Sequence, residues 1–367
     1  MPSASTVTRL ITRKNGLDQS RIEVQERALV AGPGEAILKI ERCALTTNNI
    51  TYAAYGDSMN YWGFFPTGEA EWGHIPVWGF ADVLVSNVDG VTEGERFYGY
   101  FPLASHLWMK PQRVTERGFY DGAEHRKDLT SAYNQYTRCS WDPYYRADSE
   151  DLQILLKPLF LTSAMLADFL QDNQFFGATR LVFSSASSKT AFGTAVCLEG
   201  RSELTRVALT SASNRGFVAE LGCYEQTLAY DELDQLEADQ PTLYVDFSGD
   251  LALRDRVHQH LGRQLLYSCF AGSAQTTGEA QLTAIEGPQP VFFFAPIQIR
   301  KRNAEWGPER VSQYIGEGLL RFYQEVSAGP TPLLEVVVGE GYAAAEQLVS
   351  RLYHGQVPPA QGNIIKL

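Results

Sequence analysis

The chain has 367 residues, 44% hydrophobic and 20% charged, which is enough to bury a large core and long enough for two domains. It carries 43 acidic against 31 basic residues, a formal charge of −12, which argues against a nucleic-acid surface, since such a surface wants a basic field. The five cysteines, Cys43, Cys139, Cys197, Cys223 and Cys269, are dispersed without any C-x-x-C spacing, as reduced thiols are. No membrane-spanning run is expected, and residues 1–12 lack the apolar stretch of a secretion signal. The expectation is a soluble cytoplasmic protein.

In chain order, Ala36–Ala44 (AILKIERCA) comes first and leads into the polar segment Leu45–Gly56, LTTNNITYAAYG. The candidates there for chemistry are Asn48, Asn49, Tyr52 and Tyr55. An amide can donate to a developing oxyanion, and a tyrosine can donate or relay a proton. The same residues suit a capped helical turn, with Thr47, Asn48 or Asn49 as N-cap and the tyrosines packed at its base. Next come Tyr61, Trp62, Phe64, Phe65 and Trp72, then Trp78–Tyr98 (WGFADVLVSNVDGVTEGERFY), which reads as strand, hairpin and Gly-Glu-Arg turn. Gln112–Glu150 is again rich in aromatics, with Tyr120, Tyr133, Tyr136, Trp141, Tyr144 and Tyr145 beside His125, Arg126 and Arg138. It is too aromatic for a disordered linker. It suits a lid over a substrate cleft, or a subunit contact in a homodimer. Two such stretches suggest a flat or apolar small-molecule substrate, with core packing as the competing explanation.

Thr179–Asn214 is the most informative stretch. Arg180–Phe183 reads as a strand, Ser184–Ser188 as a turn of five small residues, Thr190–Leu198 as a helix and Val207–Leu209 as a second strand. Such a unit presents backbone N–H groups at a helix N-terminus, where a pyrophosphate can sit. The usual glycine pattern is absent: Ser184, Ser185, Ala186, Ser187 and Ser188 stand where the glycines would be, Gly193 lies inside the helix, and Ser185, Ser187, Ser188, Lys189 and Thr190 are the candidates for holding a phosphate. The second strand ends in Ser211, Ser213, Asn214 and Arg215 with no acid, where an NAD site would place Asp or Glu on the ribose hydroxyls. Hydroxyls and a guanidinium suit a 2′-phosphate, hence NADP(H). The bland alternative is an N-cap (Ser213 or Asn214) opening the helix Arg215–Leu221.

Thr242–Phe247, Gln264–Ser268 and Val291–Ala295 read as fourth, fifth and sixth strands. Phe247, Ser248 and Phe270 (in Phe270-Ala271-Gly272) end strands where a cofactor cleft is lined. Gly307–Ala328 is an amphipathic helix. The basic run Arg300–Arg302 before it suits a phosphate or a solvated strand end. A strand at Leu333–Gly339, a helix at Ala343–Leu352 and the tail GNIIKL (Gly362–Leu367) close the chain.

The order of these motifs resembles the medium-chain dehydrogenase/reductase superfamily, in its zinc-free quinone-reductase-like part, as a side branch marked by the SSASSKT turn. The resemblance implies an α/β fold: a Rossmann doubly wound parallel sheet plus a GroES-like β-barrel catalytic domain. The catalytic domain would span 1–155 and be completed by 305–367, with the Rossmann domain at 156–304. Leu45–Gly56 would be the substrate-facing loop, placing Asn48 or Asn49 and Tyr52 near nicotinamide and substrate. Leu161–Leu170 would be the helix leading into the cofactor domain, and Glu220–Cys223 the turn after the ribose-binding helix. Cys43 and His74 (in WGHIP) lie near two zinc-ligand positions of the metal-dependent members, but the acid after the histidine and a later cysteine are missing, so no metal is expected. The function implied is NADPH-dependent, zinc-independent reduction of an enone- or quinone-type double bond or carbonyl. The alternative is a non-catalytic dinucleotide-binding or protein-interaction relative of the same fold.

Overall fold

The computed structural model describes residues 4–271, 285, 287–328 and 332–367. The chain divides into two units, Met1–Leu155 with Glu335–Leu367, and Leu156–Leu334. Gly272, expected beside a cofactor, lies outside the described residues.

The second unit is a six-stranded, wholly parallel sheet. Its strands in chain order are Arg180–Phe183, Thr205–Thr210, Gln226–Ala229, Thr242–Asp246, Leu265–Phe270 and Val291–Phe292, and in space they run third, second, first, fourth, fifth, sixth. The strand order reverses between the first and fourth strands, the switch point at which such sheets take their ligands. Alternation along the strands serves two cores. Leu181, Phe183, Leu243 and Val245 face Met165, Leu166 and Leu170, while Val182, Val207 and Tyr244 face Leu253, Val257 and Leu261.

The first unit is β-rich, a three-stranded sheet and a nine-stranded one. In the larger sheet Glu335–Glu340, Gln361–Lys366, Ala36–Leu45, Pro76–Ser86, Arg96–Pro102, Gln135–Arg138, Gly118–Asp121 and Pro111–Thr115 follow one another. The C-terminal tail therefore pairs antiparallel with Ala36–Leu45, Ile365 opposite Cys43. Together the units give the expected fold class, a Rossmann sheet with a separate GroES-like β domain.

Four expectations change. Residues 305–334 belong to the second unit, because the helix Pro308–Ser327 packs Phe322 on Phe160 and Phe192. Arg300–Arg302 lies inside a helix, Ala295–Trp306, rather than at a strand end. The buried Arg302 is held by Asp168 and Asp172, and Lys301 pairs with Asp172, so these two cations are committed to carboxylates. The aromatic insert is built into the nine-stranded sheet as three strands instead of standing over it as a lid. Finally, Ala147–Asp172 is long and apolar enough to cross a membrane by length and composition, contrary to the sequence expectation. Most of its apolar window is buried within the molecule, with Met165, Leu166 and Leu170 in the sheet's core.

Candidate functional site

The turn after the first strand of the parallel sheet does what glycines do elsewhere. Ser185 has φ +48°, the left-handed region that a tight turn demands and that side chains other than glycine's resist. Its N–H donates to the Tyr230 hydroxyl at 3.1 Å. Ala186 is fully buried, its N–H donating to the Leu209 carbonyl at 3.2 Å. Ser188 caps the helix Lys189–Cys197, its hydroxyl accepting from the Ala191 N–H at 3.3 Å. Gly193 is retained for packing: a Cβ there would lie 2.9 Å from Ser163 Oγ on the helix Glu150–Asp172. Lys189 starts the helix half-buried, and burial lowers its pKa to about 8. A cation placed against the positive end of a helix gains from a bound anion.

The end of the second strand is tied to that turn. Asn214 Nδ2 donates to Ser187 Oγ at 3.2 Å, and Ser211 and Ser213 share a 3.0 Å hydroxyl contact. Asn214, not Ser213, occupies the N-cap position of Arg215–Glu220, without a side-chain cap bond. Arg215 is half exposed and lies 3.3 Å from Glu232. Ser187, Ser188, Lys189, Ser211, Ser213, Asn214 and Arg215 thus form one hydroxyl- and cation-bearing rim, a donor set that fits a dinucleotide with a 2′-phosphate. Thr190 lies behind it, its carbonyl accepting from Ser163 Oγ at 2.8 Å.

Sequence reasoning passed over the residues that organise the switch point. Asp246, fully buried, accepts from Ser184 Oγ and Ser248 Oγ at 2.7 Å each and from the Ser248 and Gly249 amides. Its other oxygen takes two bonds from Arg254, at 2.9 and 2.7 Å. Ser248 therefore serves the turn through its side chain. Phe247 stacks on Phe183 and Phe270 lies under Arg254, so both rings help wall the strand ends. The readable signal was an acid ending an otherwise apolar central strand, TLYVD, because a buried carboxylate must be paired.

In the β-rich unit, Thr47–Ala54 is a helix capped by Thr46 rather than by the residues after it. Asn49 is its reciprocal partner. Its Oδ1 accepts from the Thr46 N–H at 2.7 Å and its Nδ2 donates to the Pro76 carbonyl at 2.8 Å. Both ends of that buried amide are committed, so Asn49 anchors the helix. Tyr52 is buried among Tyr61, Phe64, Phe65 and Tyr100, with Trp78 and Tyr133 against them. Its hydroxyl accepts from Trp78 Nε1 at 3.4 Å, and the Tyr133 ring stands edge-on to the Tyr52 ring, 6.1 Å between centroids. Burial pushes the Tyr52 pKa up to about 12, and those of Tyr100 and Tyr133 well above the usual phenol value. At neutral pH the cluster is a set of neutral hydrogen-bond donors.

Cys43 is fully buried in the strand Ala36–Leu45, and burial pushes its thiol up to about 12. His74 is buried with its pKa lowered to about 4 by burial and by Arg9. Among the described residues no three His, Cys, Asp or Glu side chains converge as a metal site.

The fold is shared with solved oxidoreductases. CurA in complex with NADPH from Vibrio vulnificus is 10% identical with a TM-score of 0.60, over 98% of each chain. The yhdH oxidoreductase from Salmonella enterica in complex with NADP is 13% identical with a TM-score of 0.53, over 98% of this chain and 99% of that one. The mitochondrial 2-enoyl thioester reductase Etr1p/Etr2p heterodimer from Candida tropicalis is 11% identical with a TM-score of 0.55, over 99% of this chain and 100% of that one. Etr1p is also known in a complex with NADP and crotonyl-CoA. At these identities the likeness is one of fold. No curated protein matches the sequence. The family model described as "Protein of unknown function (DUF2855)" matches residues 43–358, and the chain belongs to that family.

Proposed function

We propose that the chain is an NADPH-dependent, zinc-independent oxidoreductase acting on an activated double bond or carbonyl of the enone or quinone type. The observation that carries the reading is the rim at the switch point: a left-handed Ser185 turn, a capped helix start, and Arg215 with serines in place of an acid. Complexes of similarly folded proteins with NADP or NADPH support it.

Ser187, Ser188, Lys189 and the start of the helix Lys189–Cys197 would hold the pyrophosphate. Ser211, Ser213, Asn214 and Arg215 would hold the phosphorylated ribose. NADPH bound there supplies a hydride equivalent. Phe247 and Phe270 would wall the cleft and keep water from it. In the β-rich unit, Asn48 Nδ2 and the Tyr52 hydroxyl would donate to the substrate oxygen as charge builds on it, and Tyr52 would give it a proton. Preorganised donors of this kind do what a metal does in related chemistry.

A thermal-shift titration with NADPH and with NADH, followed by turnover on a quinone and an aryl enone, tests the reading. NADPH should stabilise the protein more than NADH. Tyr52→Phe should lower kcat and kcat/KM together by about 10²–10³ while NADPH binding holds. Tight NADPH binding without turnover on any such substrate would turn the reading to a non-catalytic dinucleotide-binding protein.

A further inference from the structure

The insert at Gln112–Glu150 delivers Tyr133, alongside Leu129, to the Tyr52 cluster, and buried polar contacts hold Tyr133 there. Tyr133 sits on a short helical turn, Ser131–Asn134. Arg126, fully buried, donates to Asp121 Oδ2 at 2.7 Å, to the Tyr136 hydroxyl at 3.0 Å and to the Tyr133 carbonyl at 3.3 Å. Asn134 Nδ2 returns a bond to the Arg126 carbonyl at 3.0 Å. The Tyr136 hydroxyl in turn donates to the Tyr100 carbonyl at 2.6 Å, coupling the insert to the strand that carries Tyr100. A buried cation is costly, and here it organises the backbone on both sides of Tyr133.

The ring of Tyr133 lies 4.7 Å from Tyr100, 5.7 Å from Tyr61 and 6.1 Å from Tyr52, centroid to centroid. Its hydroxyl is 3.3 Å from that of Tyr61, and its ring stands edge-on to that of Tyr52. The Tyr100 hydroxyl, in the same cluster and wholly buried, has no hydrogen-bond partner among the described residues. An unpaired buried hydroxyl is expensive unless something else satisfies it. The cluster therefore holds more donor capacity than its own members use. Packing alone would be met by phenylalanines.

We infer that Tyr133 is a positioning residue for Tyr52, a second phenol that donates to the Tyr52 hydroxyl while Tyr52 gives its own proton to the oxygen of a flat, conjugated carbonyl. This rests on the reading of Tyr52 as proton donor. In the step, the Tyr52 O–H bond breaks and an O–H bond forms on the substrate oxygen, whose enolate or phenolate charge is thereby neutralised. The Tyr133 proton moves to the Tyr52 oxygen, and the half-buried Tyr133 recovers a proton from water. Only protons move in these transfers, and no oxidant or reductant is consumed in them. The substrate class that fits is one whose reduced form is a phenol or an enol.

The probe is 4-nitrophenol, whose absorbance distinguishes phenol from phenolate and whose binding requires neither NADPH nor turnover. The full-length protein should bind it as phenolate at neutral pH. Tyr133→Phe keeps the ring and deletes the hydroxyl, and should weaken that binding at least tenfold, as should Tyr52→Phe, with Tm little changed. Tyr61→Phe, which leaves the Tyr52 and Tyr133 hydroxyls in place, should weaken it less than threefold. Should Tyr133→Phe not fold, 3-fluorotyrosine at position 133, a stronger donor of nearly the same shape, should tighten phenolate binding several-fold. No binding by the unsubstituted protein, equal affinity in Tyr133→Phe, or no response to the fluorinated residue overturns the inference. Failure to reduce quinones or enones strikes the function instead, so the two failures are separable.

Discussion

At the scale of one side chain, the proposed cofactor preference rests on Arg215. It is half exposed and its Nε lies 3.3 Å from Glu232, so an arriving 2′-phosphate competes with a carboxylate already in place. Exposed pairs of this kind are worth only about 0–1 kcal/mol, whereas a charge-assisted contact to phosphate is worth about 1.5–3 kcal/mol. Arg215→Ala should therefore weaken NADPH binding by about 10- to 100-fold and spare NADH, measured by calorimetry with both. Equal losses would mean that Arg215 does not read the 2′-phosphate. Lys189 adds a pH dependence. Its pKa is lowered to about 8 by burial, and a bound anion raises it again. Below about pH 8 the lysine is charged before and after binding, so affinity is flat. Above it, binding must take up a proton, and NADPH affinity should fall by up to about tenfold per pH unit. Lys189→Gln should bind more weakly at pH 7 and show no such slope. A slope that persists in Lys189→Gln would assign it to another group.

At the scale of elements, the insert joins its sheet through short strands and also carries one buried ion pair. Arg126 and Asp121 are both buried, and Arg126 also lies over Phe65, 4.8 Å from the ring centroid. Arg126→Met leaves Asp121 buried without its cation, which should cost about 3–5 kcal/mol in urea denaturation of the full chain. A loss below about 1 kcal/mol would show that the strands alone fix the insert. This arrangement was hidden in the sequence because its meaning lies in pairings. Aromatic content announced the insert but not that it would join a sheet. The helix Ala295–Trp306 was missed for the same reason: its basic run looks solvated until Asp168 and Asp172, distant in sequence, are seen to neutralise it. Local signals fared better. The strand Arg180–Phe183 and the helix beginning at Lys189 fall within a residue of their expected limits, because apolar runs and a serine cap act through neighbours. Asn49 lies between these cases. The Thr46 to Asn49 spacing of a reciprocal cap is readable, yet it separates an anchoring amide from a reactive one only when the Pro76 carbonyl is also known.

For the whole molecule, the discontinuous first unit follows from the tail. Gln361–Lys366 pairs with Ala36–Leu45, placing the last strand beside Cys43. What this chain builds there is apolar. Cys43 sits in the main core of the β-rich unit with Leu38, Val77 and Ile365, and its thiol, pushed up to about 12 by burial, stays protonated at neutral pH. His74, lowered to about 4, is a neutral imidazole, and no three His, Cys, Asp or Glu side chains converge among the described residues. A zinc site needs three or four ligands in tetrahedral array, with cysteine as thiolate. Elemental analysis of the purified protein should therefore find well under one zinc per chain. A chelator should leave both Tm and NADPH-dependent turnover unchanged, and Cys43→Ala should act as a core truncation, costing about 1–2 kcal/mol of stability while kcat holds. One equivalent of zinc whose removal abolishes turnover would replace the phenol donors of Tyr52 and Tyr133 by a metal, and would make Cys43 and His74 its ligands.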